Sequence, residues 1–230
     1  MTPRPHYVKK PQGCEDLPAA GRLCPALQDL LLEGTMDLTS QRLWINAFWA
    51  LFGLYWLVSA FKLKKTKRRE SWSQRFVYVL PLAVAFYLLQ RGAHYGWLGT
   101  RFVRASDAAG WIGVALTAAG VAIAIWARWH LGTNWSGVVS LKEGHELIRS
   151  GPYRNIRHPI YTGILLALLG TAVAVGEVRG LLGVAIAWLS FYTKARREES
   201  FLTQEFGDRF AEHRRHTGMF LPRFSWRSIT

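Results

Sequence analysis

HPIYTGILLALLGTAVAVGEVRGLLGVAIAWLSFYTKARREES, residues 158–200, holds two apolar runs, 159–176 and 180–193, parted only by Glu177, Val178 and Arg179. As helix, the stretch from Pro159 to Gly176 is about 27 Å long and that from Gly180 to Glu198 about 28 Å. So short a turn forces the arms to lie antiparallel, and the matched lengths predict that Glu198 and Glu199 return to the level of His158 and Tyr161. Pro159 lacks an amide proton and its φ suits a first helical turn, whereas His158 before it is driven out of helical geometry. The amides that follow, with Arg157, form a positive, donor-rich helix start suited to a carboxylate or phosphate. A cationic start facing an acidic end suits a zwitterion. A solvated helix in which Arg196 pairs with Glu199 is the alternative for the acidic end; against it, Glu198 comes five residues after the apolar run, where an interface favours lysine and arginine.

Working outward, LWINAFWALFGLYWLVSAF (43–61) and AGWIGVALTAAGVAIAIWA (109–127) carry no charge, and each approaches the roughly 20 residues that cross a bilayer. FVYVLPLAVAFYLLQ (76–90) is shorter and contains Pro81. With the two arms of the hairpin these make five expected membrane spans. The expected fold is therefore an all-α integral membrane protein of about five transmembrane helices.

The formal charge of +14 would suggest nucleic acid in a soluble chain, but its distribution follows membrane orientation instead. Twenty of the 29 basic residues fall in 62–75, 128–158 and the tail from Lys194. Those segments lie on one side of a five-span topology, which predicts an outside N-terminus and a cytoplasmic C-terminus. The expected location is the inner membrane of a bacterium or the endoplasmic reticulum of a eukaryote. No basic patch interleaved with aromatics accompanies the charge, so nucleic acid is not expected as a partner.

Three regions result: an N-terminal extension over 1–42, expected to be poorly ordered; three transmembrane helices over 43–127; and a catalytic region over 128–230. The extension is basic on the wrong side for the topology, and Met36 is a candidate native start. Both cysteines, Cys14 and Cys24, lie in it, and their spacing is not a metal motif. HELI at 145–148 is no zinc motif either, because Arg149 stands where the second histidine would be. His213 and His216 are expected to be surface residues, so no metal is expected. A dinucleotide-binding glycine motif and alternating strands are both missing, which excludes a Rossmann domain. The loop 128–159 is long but carries Trp129, Trp135, Leu147, Ile148, Tyr153 and Ile156, enough apolar surface to be structured rather than disordered.

HELIRSGPYRNIRHPIYTG (145–163), REES (197–200) and EFGDRFAEHRRHTGMFLPRF (205–224) together resemble the C-terminal half of the isoprenylcysteine carboxyl methyltransferase family and its bacterial relatives. Arg-His-Pro-x-Tyr, a hydrophobic hairpin and Glu-Glu is a pattern shared with phospholipid N-methyltransferases. The resemblance implies an integral membrane methyltransferase that takes S-adenosyl-L-methionine through cytosolic loops and a lipid-like or small apolar acceptor from the bilayer. By motif position the cofactor contacts fall on His145, Glu146, Leu147, Ile148, Tyr153, His158, Pro159, Ile160, Tyr161 and Glu198. Arg157, Glu198 and Glu199 are the candidate catalytic residues. Lys194, with Arg197 close by, falls where the prenylcysteine enzymes read the substrate carboxylate with arginine; lysine lacks the bidentate fork for that task. Phospholipid N-methylation, thiol S-methylation, a nicotinamide-dependent membrane reductase and a non-catalytic membrane protein stay open as alternatives.

Overall fold

The computed structural model describes residues 25–59, 66–69, 72–90, 96–135, 140–142 and 146–223. It is built of six helices: α1 (Pro25–Ser59), α2 (Trp72–Gln90), α3 (Asp107–Leu131), α4 (Pro159–Val175), α5 (Val178–Phe206) and α6 (Asp208–His216). Among the described residues these helices are accompanied by a short antiparallel ribbon, β1 (Thr66–Arg69) with β2 (Ser140–Lys142), which ties the connection after α1 to the loop after α3. α1 begins at Pro25, well before the apolar run that opens at Leu43.

The centre of the fold is the crossing of α3 with α4. Small residues recur on both facing surfaces, Gly113, Thr117, Gly120 and Ala124 against Gly163, Ala167 and Gly170. A Cβ on Gly120 would stand 2.3 Å from Ala167 N, and one on Gly163 would stand 2.6 Å from Ala124 N. The backbones therefore touch, as helices packed in lipid do when dispersion contact replaces the hydrophobic drive. Thr117 sits in this seam fully buried, donating its hydroxyl to Gly113 O at 2.8 Å. Ser106 caps α3 by accepting from Ala109 N.

α4 ends at Gly176, whose φ of +70° is the left-handed geometry that glycine adopts without strain. α5 starts two residues later and runs back along α4. Beyond its apolar half the same helix continues through KARREES without a break, which carries Glu198 and Glu199 on a rigid element. α2 braces α5 from the other side, where Ser190 donates to Tyr78 O at 2.5 Å. Trp49 of α1 donates its indole N–H to Thr171 of α4 at 3.1 Å.

Large apolar side chains also face outward: Leu51, Leu54 and Leu57 on α1, Phe76 and Leu80 on α2, Trp188 and Leu189 on α5. Among the described residues, α3 alone is long and apolar enough to cross a bilayer by itself, while Arg75–Leu89 and Pro159–Val175 are shorter apolar stretches. α5 falls outside that criterion because Arg179 near its start and the charged residues from Lys194 onward shorten its apolar run.

Candidate functional site at the open end of the hairpin

The approach to α4 is shaped by a turn of 3₁₀ helix, Gly151–Arg154. Within it Tyr153 is buried and donates its hydroxyl to Ala127 O at 3.4 Å, which anchors the turn to the end of α3. Burial pushes its phenol well above the ordinary pKa, with the negative charge of Glu198 adding to the effect. Ile156 to His158 then run alongside the segment after α6. Arg157 N donates to Gly218 O at 2.8 Å and His158 N to Met219 O at 3.1 Å. Pro159 opens α4 and is buried. His158 sits before it at φ −124° and ψ 59°, with no side-chain cap on the helix.

Across the gap, α5 presents Lys194, Glu198 and Glu199. Tyr161 donates to Glu198 Oε1 at 2.6 Å. His158 lies between the two carboxylates, its Nδ1 3.5 Å from Glu198 Oε2 and its Nε2 3.3 Å from Glu199 Oε1. Burial opposes charge on this imidazole, but the hydrogen bonds it donates to Glu198 and Glu199 outweigh it and raise its pKa above the ordinary value. The carboxylates answer in kind. Burial would raise Glu198, yet its bond with His158 and the charge of Lys194 hold it below the usual carboxylate range. Glu199 is likewise burdened by burial, and its bonds with His158 and Arg157 bring it down to about 2.

The two glutamates have different surroundings. Glu199 is almost fully buried; its Oε1 accepts from Arg157 Nε at 2.7 Å, and Oε2 has no hydrogen-bond partner among the described residues, the Arg214 Nε being 3.9 Å away. Arg157 also donates through Nη1 to Thr217 O and, at 3.3 Å, to Arg214 O. This pair fastens α5, α4 and the C-terminal segment together. Glu198 keeps 22% of its side chain accessible, so its carboxylate can meet a ligand. Lys194 stands one helical turn before it, 3.9 Å from Glu198 Oε1, with its ammonium 5.3 Å from the ring centres of both Tyr78 and Tyr161.

An aromatic wall lines the same place. The His158 and Tyr161 rings stack at 5.5 Å with an interplanar angle of 5°, and Tyr161 stacks on Phe191 at 4.8 Å. Phe220 meets both His158 and Tyr161 edge-on. A partly exposed carboxylate beside aromatic faces is chemically fit for a cationic ligand.

Other expected residues lie farther out. Ile160 is buried in the core beneath the site, and Ile148 packs against that core. Leu147 is half-buried and Glu146 exposed on the segment leading to the 3₁₀ turn. His145 lies outside the described residues. Arg197 is half-buried beside Glu198, and its carbonyl accepts the Ser200 hydroxyl at 2.8 Å. Glu199 pairs with Arg157, not with Arg196 on its own helix. His213 is a correction: it is buried on the inner face of α6, and burial together with Arg149, Arg157 and His216 lowers its pKa. The lack of further metal ligands around it pointed to a surface residue, but Phe210 and His213, three residues apart, share the buried face of α6.

Tyr78, Phe191 and Phe220 were not legible as site residues. Tyr78 and Phe191 sit within apolar runs and look like ordinary span residues. Phe220 reaches the site only because the segment after α6 pairs with 156–158, where Thr162 donates to Phe220 O at 2.7 Å.

The model of the family described as phospholipid methyltransferase matches residues 108–209, which span α3, α4, α5 and the site. The protein-S-isoprenylcysteine O-methyltransferase of Schizosaccharomyces pombe is 32% identical over 94 residues, covering 40% of this chain and 40% of its own length. Protein-S-isoprenylcysteine O-methyltransferase A of Arabidopsis thaliana is 34% identical over 76 residues, 33% of this chain and 39% of its own length. The cobalt-zinc-cadmium resistance protein CzcN of Cupriavidus metallidurans is 31% identical over 133 residues, 57% of this chain and 56% of its own length. The chain thus spans about half, or less, of the length of these relatives.

Proposed function

We propose that this protein is an integral membrane methyltransferase that uses S-adenosyl-L-methionine to methylate a lipid-like or small apolar acceptor at the cytoplasmic membrane surface. The observation that carries the reading is the closure of the two motifs on each other, Tyr161 on Glu198 at 2.6 Å with His158 set between Glu198 and Glu199. The outward apolar side chains of α1, α2 and α5 support a bilayer around the bundle, with five spans, the N-terminus outside and the basic C-terminal end inside.

Glu198, partly accessible, accepts hydrogen bonds from the ammonium end of the cofactor. The start of α4 at Pro159 and Ile160 faces the methionine carboxylate, and the rings of Tyr161, Phe191 and Phe220 face the sulfonium. Glu146, Leu147 and Ile148 approach from the loop side, and Tyr153 holds that loop against α3. When bound, the cofactor would supply an electrophilic methyl group, leaving as S-adenosylhomocysteine once the acceptor takes it. Methyl transfer to an anionic or thiolate acceptor needs little proton traffic, so alignment and exclusion of water carry most of the rate. Arg157 and Glu199 act by fixing His158 and the end of α5, and Lys194, with Arg197 near it, meets a negatively charged group on the acceptor.

The test is incubation of the purified protein with methyl-labelled S-adenosyl-L-methionine and a total lipid and small-molecule extract. Label recovered in a lipid-like or small apolar product supports the reading; a folded preparation that labels nothing contradicts it. The phospholipid methyltransferase match and Lys194 in the carboxylate-reading position favour a second reading, methylation of a phospholipid amine. A methyl ester is released by base as methanol, whereas an N-methyl headgroup survives base.

A further inference from the structure

At the end of the bundle remote from this site, about 25 Å along α4, lies a cavity of about 530 Å³ bounded by α1, α3, α4 and the first turn of α5. That volume is within the range of small-ligand sites. Ile45, Trp49, Leu89 and Val175 give it an apolar wall, while Arg42, Arg101 and Arg179 bring three guanidinium groups to it against the single carboxylate of Glu177.

The arginines come from three separate elements, and Arg101 and Arg179 are held there by hydrogen bonds. Phe102 N donates to Gly176 O at 2.9 Å and Val178 N to Thr100 O at 2.9 Å, which zips the 100–102 strand onto the α4–α5 turn. Arg101 consequently lies over Gly176, where a Cβ would come within 2.6 Å of its Nη2. Arg179 is buried, donating to Glu177 Oε2 at 2.6 Å and to Leu88 O at 2.7 Å, so Glu177 is already neutralised. Among the described residues neither Arg101, whose Nε donates to Val103 O, nor Arg42 makes an ion pair, and both line the cavity beside its apolar wall. In the orientation proposed above this is also the side on which basic residues are sparse, which makes their convergence on one cavity notable.

We infer that this cavity binds an anionic amphiphile, its oxyanion head on Arg42 and Arg101 and its acyl chain along Ile45, Trp49 and Leu89. Guanidinium groups suit phosphate and carboxylate through paired N–H donors. The site needs no methyl-transfer chemistry and stands or falls apart from the functional reading.

The experiment is native mass spectrometry of the full chain in detergent micelles with dioleoyl phosphatidylglycerol, with dioleoyl phosphatidylcholine, and with phosphatidylglycerol plus inorganic phosphate. Phosphatidylglycerol is expected to be retained about tenfold better than phosphatidylcholine, and the Arg42→Gln/Arg101→Gln double variant to lose about tenfold. Ala105→Trp, which narrows the mouth without touching a charge, is expected to weaken retention as well; unchanged circular dichroism and melting show that the variants fold, and this second variant carries the test if the first does not. Equal retention of the two lipids, or undiminished retention in a folded variant, overturns the proposal. Displacement by inorganic phosphate alone assigns the arginines to a free anion and overturns the amphiphile.

Discussion

Tyr161 and Glu198 stand 37 residues apart and meet at 2.6 Å across the open end of the α4–α5 hairpin. The contact fixes the relative register of the two helices at their far ends, since the near ends are already joined by the turn at Gly176 and Glu177. A helix that starts at a proline and a helix that carries paired glutamates just beyond its apolar half thus share one polar centre.

Breaking the buried pair beneath that centre should cost stability before anything else. Glu199→Gln leaves Arg157 facing a neutral amide in a site where both side chains are almost fully buried. An unpaired buried charge costs about 3 kcal/mol. Thermal melting in detergent should show a clear drop, whereas Arg196→Gln, on the same helix but exposed, should melt as the wild type does. Equal melting of the two variants would contradict the geometry.

The pH dependence of stability follows from the same groups. Glu199 titrates near 2 in the fold against an ordinary 4.5, so its contribution is complete above about pH 4.5 and fades as pH falls toward 2. His158 is raised above its ordinary 6.5, so its contribution is complete below about 6.5 and fades as pH rises through its folded value. The share of the melting temperature held by these two groups should therefore be greatest between about pH 4.5 and 6.5, while His213, held below its ordinary 6.5, lowers stability as pH falls beneath that value. The alkaline fall should be absent from His158→Gln.

Packing in the α3–α4 seam gives a prediction remote from the chemistry. Gly120→Ala places a methyl 2.3 Å from Ala167 N, and backbone cannot yield as a side-chain tip can. The helices must part, at a cost of at least about 2 kcal/mol. Gly53→Ala, on α1 with open space around it, should melt at or slightly above the wild-type temperature, since alanine favours a helix.

How much of this was written in the sequence depends on the kind of signal. The pairing of α4 with α5 could be read because two uncharged apolar runs are parted by only three residues, the stretches Pro159–Gly176 and Gly180–Glu198 are nearly equal, and Pro159 marks a start that Gly176 closes. The role of Glu199 was half legible: its position near His158 follows from helix length, but its pairing with Arg157 depends on a side-chain rotation that length does not determine. His213 was misread because α6 is short and polar overall, and only the C-terminal segment folding back on 156–158 decides which face is covered. Phe220 depends on the same long-range pairing and carries no local signal. The ribbon of β1 with β2 was also unforeseen, since TKRR and SLK have neither the length nor the alternation that marks a strand.

The central claim is that Glu198, presented by α5 to the start of α4, binds S-adenosyl-L-methionine. Isothermal titration of the full chain in detergent with S-adenosylhomocysteine, as wild type and as Glu198→Gln, tests it most directly. The expected result is saturable binding at one site, weakened by about 2 kcal/mol or some thirtyfold in the variant while its helical circular dichroism is retained. A folded wild type that binds nothing, or a variant that binds as tightly as the wild type, would contradict it.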